Sequence, residues 1–253
     1  MIYLACPCYN GMSAATHKAT LQATQKYDVI QSIKDYSSLT LNFNSLWCDM
    51  LNIRKQHNIT HFVMIHSDID VKTDAWLDKM VQMCDETNCD VLSVVSPLKD
   101  NRGLVSTGVW DTQEQVVKYR LTMTQVGKLP EVFDVVDVLS QQDQMKTHIN
   151  NFNSVRDFHL KLAVNTGLML VKVEDWCEKV HFRQHDYVIK KTFSDGTVEF
   201  VPQFISEDWL FSADVQQLGK VVKGTKAIKI EHIGKFGYAN FGVWGTLQED
   251  DLS

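Results

Sequence analysis

Short apolar runs recur through the first hundred positions, and each stops at a polar break. "IYLACP" opens at Ile2 and ends at Pro7, as a buried strand would. "CYNGMSAATHKATLQATQ" adds a glycine turn and then a helix rich in Ala, Thr and Gln. "YDVIQSI" predicts a second strand. In "SLTLNFNSLWCDMLNIRKQ", Leu46, Met50, Leu51 and Ile53 recur at helical spacing. "ITHFVMI" predicts a third strand. Thr73 then suits the N-cap of "DAWLDKMVQMCDE", whose Trp76, Leu77, Met80, Val81 and Cys84 share one face. "DVLSVVSPL" is a fourth strand, stopped by Pro97. This alternation predicts an α/β protein with a mainly parallel central sheet and helices on both faces. Ligands of such sheets sit beyond the carboxyl ends of the strands. "CPCYNG", "HSDID" and "SPLKDNRG" all lie at such ends and are expected to converge on one crevice.

From residue 99 to about 160 the periodicity breaks down. "GLVSTGVWD", "QVVKYRLTMTQV" and "EVFDVVDVL" read as extended or hairpin pieces, and "QQDQMKTHINNFNS" as a loop or short helix. An irregular insert of this size usually carries function. "LAVNTGLMLVK" returns as a buried strand pair or strand-turn. "VEFVPQFISEDWLFSADVQQLG" holds a strand and a helix ending at Gly219. "VVKGTKAIKIEHIGKFGYANFGVWG" closes with a strand and a tail rich in glycine and aromatics.

The 253 residues, 44% of them hydrophobic, suffice for one large core or two small ones. A net charge of −6 removes a general electrostatic grip on nucleic acid or anionic lipid. The six cysteines form no CxxC pair. Cys6 and Cys8 are read as facing opposite ways, and the set as free thiols of a reducing compartment. No apolar run reaches the roughly 20 residues of a membrane span, and no leader is expected ahead of the first strand. A cytoplasmic protein without a membrane partner is expected.

Four polar knots carry the candidate chemistry. In "HSDID", one or two carboxylates at a strand end suit a hard divalent cation that a substrate diphosphate helps to coordinate. Two registers are open: Asp68 with Asp70, or His66 with Asp68. Both also fit turn and cap roles. In "ISEDWLF", Ser206 is a natural N-cap, and Glu207 and Asp208 fall in the first turn, where the helix dipole favours them. A carboxylate there could also act as a general base. In "IEHIGKFGY", His232 precedes a glycine-rich loop with Lys235. In "VNTGLML", Asn165 and Gly167 interrupt an apolar run, either as a bulge or as groups facing sugar hydroxyls; Gly167 is expected to take an unusual backbone angle.

The order of these knots resembles the GT-A fold of nucleotide-sugar-dependent glycosyltransferases, over roughly residues 2 to 245. The resemblance implies one domain over 1–253. Its nucleotide-binding half would be 1–98, its hairpin-rich insert 99–160, and its acceptor half with a C-terminal lid 161–253. It implies transfer of a sugar from a nucleotide-sugar donor, a UDP-sugar above all, to a hydroxyl of a saccharide, protein or modified DNA base. Pro7, Tyr9 and Asn10 would hold the nucleoside. Asp68, with Asp70 or His66, and His232 would hold Mn²⁺ or Mg²⁺. Lys235 would contact the diphosphate, Asn165 and Gly167 would line the sugar or acceptor pocket, and Asp208 or Glu207 would be the base of an inverting reaction. Many members place D-x-D directly after the strand, where this chain has His66. A sugar nucleotidyltransferase would need a glycine-rich loop with Arg and Lys after the first strand, which "CPCYNGMSAATHK" lacks. A non-catalytic nucleotide- or carbohydrate-binding protein is the rival from another class.

Overall fold

The computed structural model describes residues 1–9, 11–146, 159–242 and 244–246. Its first part runs Ile2–Cys8 (β1), Ala14–Thr24 (α1), Val29–Asp35 (β2), Leu39–Ile53 (α2), His61–Ile65 (β3), Ile69–Val71 (β4), Trp76–Glu86 (α3) and Val91–Val94 (β5). The middle comprises Leu104–Asp111 (β6), Val116–Thr122 (β7), Met123–Lys128 (α4), Val132–Phe133 (β8), Val135–Lys146 (α5) and Leu160–Ala163 (β9). Leu168–Lys172 (β10), His185–Thr192 (β11), Val198–Ile205 (β12), Glu207–Gln217 (α6), Val222–Thr225 (β13), Ile230–Ile233 (β14) and Gly237–Ala239 (β15) complete it.

A 7-stranded sheet in the order β2-β1-β3-β10-β5-β13-β8 forms the centre. β2, β1 and β3 are parallel, β10 is antiparallel to both β3 and β5, β13 runs with β5, and β8 runs against β13. Five strands therefore share one direction, and β10 and β8 oppose it. The first half of the chain is not a self-contained sheet, because β10 is inserted between β3 and β5.

Alternation along the strands divides the core in two. Tyr3, Phe62, Met64, Val91 and Met169 pack with Phe43, Leu46 and Trp47 of α2 and Phe211 of α6. Leu4, Val63, Ile65, Leu92 and Leu170 pack with Ala19 of α1 and with Trp76, Leu77 and Met80 of α3. Helices thus cover both faces, as the patterning predicts.

Three expectations are corrected. Cys6 and Cys8 share a face, since side chains two apart on a strand do; their sulfurs are 3.8 Å apart. Thr73 does not cap α3. Its Oγ1 accepts from the N–H of Lys229 at 2.8 Å, and Ala75 occupies the N-cap with φ 52 and no side-chain cap bond. "EVFDVVDVL" is extended only at β8 and then turns helical. Asp134 Oδ1 accepts from the N–H groups of Val136 (2.8 Å) and Asp137 (3.3 Å), while Asp137 Oδ2 accepts from that of Asp134 at 3.0 Å. This reciprocal cap overrides the strand preference of the β-branched valines that follow. Among the described residues no helix is long and apolar enough to cross a membrane.

Candidate active site

β1, β3, β5 and β13 end at one edge of the sheet, and antiparallel β10 begins there. The turn 164–167 ahead of β10 therefore lands among the carboxyl ends of its neighbours. Ser212 of α6 donates to Val164 O at 3.3 Å and accepts from the N–H of Val164 at 3.1 Å. Asn165 Nδ2 donates to Val94 O at 2.9 Å, and its Oδ1 accepts from the N–H of Gly167 at 2.9 Å. Thr166 Oγ1 lies 3.1 Å from His66 Nε2, and Gly167 O accepts from the N–H of His66 at 2.8 Å. Asn165 is 3% exposed and its amide is engaged by backbone, so here it braces the turn rather than facing a sugar. Gly167 has no left-handed φ. It is needed for room: a Cβ there would lie 3.0 Å from Asn165 Oδ1 and 3.3 Å from Ser96 Oγ. Gly167→Ala is expected to cost about 1–3 kcal/mol through overpacking. Urea unfolding checks this, and an unchanged midpoint would show that the turn has slack.

The "HSDID" knot splits into two environments. His66, Ser67 and Asp68 form the turn after β3, while Ile69–Val71 becomes β4 and pairs antiparallel with β14, setting Ile69 against His232. Asp70 faces away from the crevice into ion pairs: Lys72 Nζ lies 2.5 Å from it and 3.1 Å from Glu231. Asp68 instead meets Lys99, with which it forms an ion pair, and His232, whose Nε2 lies 3.6 Å from its Oδ2. Burial alone would push the Asp68 carboxyl up, but the contacts with His232 and Lys99 hold it well below the ordinary range. Burial pushes His66 down to about 4, so its ring, against Phe43 at 5.3 Å, is neutral near pH 7.

His232 Nδ1 is 2.9 Å from the carbonyl oxygen of Pro97. A carbonyl only accepts, so Nδ1 is a donor, and Nε2 is the ring atom turned to the carboxylate. Lys99 meets the same carboxylate oxygen. The 3.6 Å gap is shorter than two metal–ligand bonds of about 2.1 Å laid end to end, so both atoms can reach one ion at an angle. Asp68 Oδ1 is buried and has no hydrogen-bond partner among the described residues. Among those residues no group of three or more His, Cys, Asp or Glu side chains makes a metal cage. A hard cation bound mainly through water and phosphate needs only such a pair.

Beside Asp68 opens a crevice of about 250 Å³, lined by Pro7, Tyr9, Tyr36, Asn42, His66 and Asp68. That is close to the roughly 300 Å³ at the small end of ligand sites. Tyr9 is 66% exposed at its mouth. Asn42 Nδ2 donates to Cys8 O (2.9 Å) and Lys34 O (3.1 Å), tying the ends of β1 and β2, while its buried Oδ1 has no hydrogen-bond partner among the described residues. Asn10 lies outside the described residues.

The acidic start of α6 is joined to the same region through Ser106. Trp209 Nε1 donates to Ser106 O at 2.8 Å, and Arg120, 4.7 Å from the Trp209 ring, donates to it at 3.1 Å. Gly108 makes room for that ring, since a Cβ there would fall 2.8 Å from Cη2. Ser106 donates both its N–H and its hydroxyl to Ser96 O at 2.9 Å, one residue from the carbonyl that holds His232. Burial and the neighbouring Asp208 push Glu207 up to about 7. Burial pushes Asp208 up to about 6, against the opposing pull of Ser206 and Arg120. Ser206 occupies the N-cap position but donates its hydroxyl to Asp208 instead of capping.

Lys235 sits exposed at the β14–β15 turn, its ammonium 5.9 Å from the Phe236 ring. Lys99 is the cation at Asp68. The sequence places "SPLKDNRG" at a strand end but does not single out Lys99, Arg120 or Asn42; the position of Lys99 just past that strand end was the available signal. No protein-family model and no curated protein sequence matches this chain. The fold is similar to that of A197 from STIV. Its crystal structure matches with a TM-score of 0.51 and 11% identity, covering 92% of this chain and 85% of that one.

Proposed function

We propose that this protein has a GT-A-type architecture and transfers a sugar from a nucleotide-sugar donor, a UDP-sugar above all, to a hydroxyl acceptor, with Mn²⁺ or Mg²⁺ held by Asp68 and His232. The observation that carries this reading is His232 Nε2 facing Asp68 Oδ2 across 3.6 Å beside a crevice walled by two tyrosines. Tyr9 and Tyr36 would flank the base. A bound divalent cation supplies charge neutralisation at the diphosphate leaving group. Lys99 adds positive charge at the same place, preorganised by its pair with Asp68. Glu207 or Asp208 accepts the acceptor's proton as its oxygen bonds to the sugar C1 and the C1–phosphate bond breaks. Carboxyls raised towards neutral pH are suited to that exchange.

A thermal-shift panel of nucleotide sugars, each with and without Mn²⁺, tests the donor and the cation together. One donor is expected to raise the midpoint only when Mn²⁺ is present. The free energy gained is about 2.7 kcal/mol at a ligand concentration a hundredfold over Kd. A panel with no Mn²⁺-dependent shift would overturn the reading. Product analysis with the stabilising donor then separates an enzyme from a binding protein, and saccharide, protein and hydroxymethylated-DNA acceptors are compared in the same assay.

A further inference from the structure

β11 and β12 form a 2-stranded sheet of their own. A two-stranded ribbon is marginal in water unless something covers it. One face is anchored: Ile205 is buried, and Tyr187 packs on the cluster of Trp110, Trp209 and Leu210. The opposite face is bare. Pairing sets Asp186 against Phe204, Val188 against Pro202 and Lys190 against Phe200. Val188, Phe200 and Phe204 are 67%, 71% and 64% exposed. Pro202 lacks an N–H and interrupts the ladder of β12, a device that discourages edge-to-edge pairing. The face is left as the sticky surface.

That face is complementary to itself. A two-fold axis crossing the strands at the Val188–Pro202 pair lays Val188 over the same residue of a second copy. It also brings Asp186 over the second copy's Lys190, and Phe200 over the second copy's Phe204, each twice by symmetry. The geometry points to a homodimer in which two such hairpins pack face to face about this axis. Each aromatic side chain buries roughly 150–250 Å², so four phenylalanines supply much of the ~1,200 Å² a specific interface needs. A dimer that dissociates on dilution follows. The arm's Lys190 and Lys191 are outnumbered by Asp186, Asp195 and Glu199, so an anionic lipid surface is the poorer fit.

Sedimentation velocity of the full chain over a concentration series tests this. The wild type is expected to pass from monomer to dimer, and Phe200→Glu and Val188→Lys to stay monomeric with unchanged circular dichroism. Asp186→Lys or Lys190→Asp alone is expected to weaken association at least about tenfold, since it sets like charges together. The double exchange is expected to restore it. A wild type that is monomeric throughout, a Phe200→Glu and Val188→Lys pair that both dimerise normally, or a double exchange no better than the singles would overturn the dimer. So would binding of a monomeric wild type to phosphatidylserine vesicles that Phe200→Glu loses.

Discussion

Asp68→Ala is expected to abolish the Mn²⁺-dependent stabilisation by the donor and to lower turnover at least about a hundredfold, the scale of losing one preorganised electrostatic group. The fold should survive. The Asp68–Lys99 pair is partly exposed, and such pairs contribute about 0–1 kcal/mol. The backbone carbonyl of residue 68 still accepts from the N–H of Ile233 at 2.8 Å. Asp70→Ala provides the contrast: its carboxylate is tied to Lys72 on the outer face, so turnover should fall far less. Wild-type turnover in Asp68→Ala, at an unchanged unfolding midpoint, would return that residue to a turn. Equal losses in the two variants would restore the D-x-D register of Asp68 with Asp70.

Glu207→Gln is expected to change how stability depends on pH as well as how fast the protein works. Burial raises this carboxyl from an ordinary 4.5 to about 7, so the folded chain binds its proton more tightly than the unfolded chain does. The native state is relatively favoured below 4.5 and loses that advantage as pH rises through about 7. Glutamine keeps the shape and cannot ionise, so the variant should lose this slope and gain stability relative to wild type on the alkaline side. Urea midpoints at about pH 5 and about pH 8 measure the difference, and parallel wild-type and variant curves would remove Glu207 from the titration. In the kinetic arm, Asp208→Asn should lower turnover far more than donor affinity. An unchanged rate there would leave Asp208 as a helix-terminal residue only.

The apolar patterning made the central layers legible. β1, β3, β5 and the inner faces of α2 and α3 follow it because their side chains are buried among like neighbours. It hid β4, whose three residues "IDV" resemble part of an acidic loop until β14 arrives to pair with them. The helix start at Thr73 failed because a distant backbone N–H claimed the hydroxyl. In the site, Asp68 and His232 were legible as residue types at strand ends. The choice between Asp70 and His66 was not, since it depends on Lys72, which pairs with both Asp70 and Glu231 and draws Asp70 outward. Lys99 was hidden for the same reason: a lone lysine in a polar loop has no periodicity to betray its partner. Whether "QQDQMKTHINNFNS" continues as loop or helix past Lys146 falls largely outside the described residues.

β14 lies across β4 although most of the chain separates them, and that has a consequence in time. Until the last strands dock, His232 is absent from the turn after β3 and Asp68 has only Lys99 beside it. Pairings between distant segments are the slow ones, because loop closure must be met before their contacts form. The Asp68–His232 pair is therefore among the last features a folding chain completes, and a partly folded molecule with an intact central sheet would lack the proposed cation site.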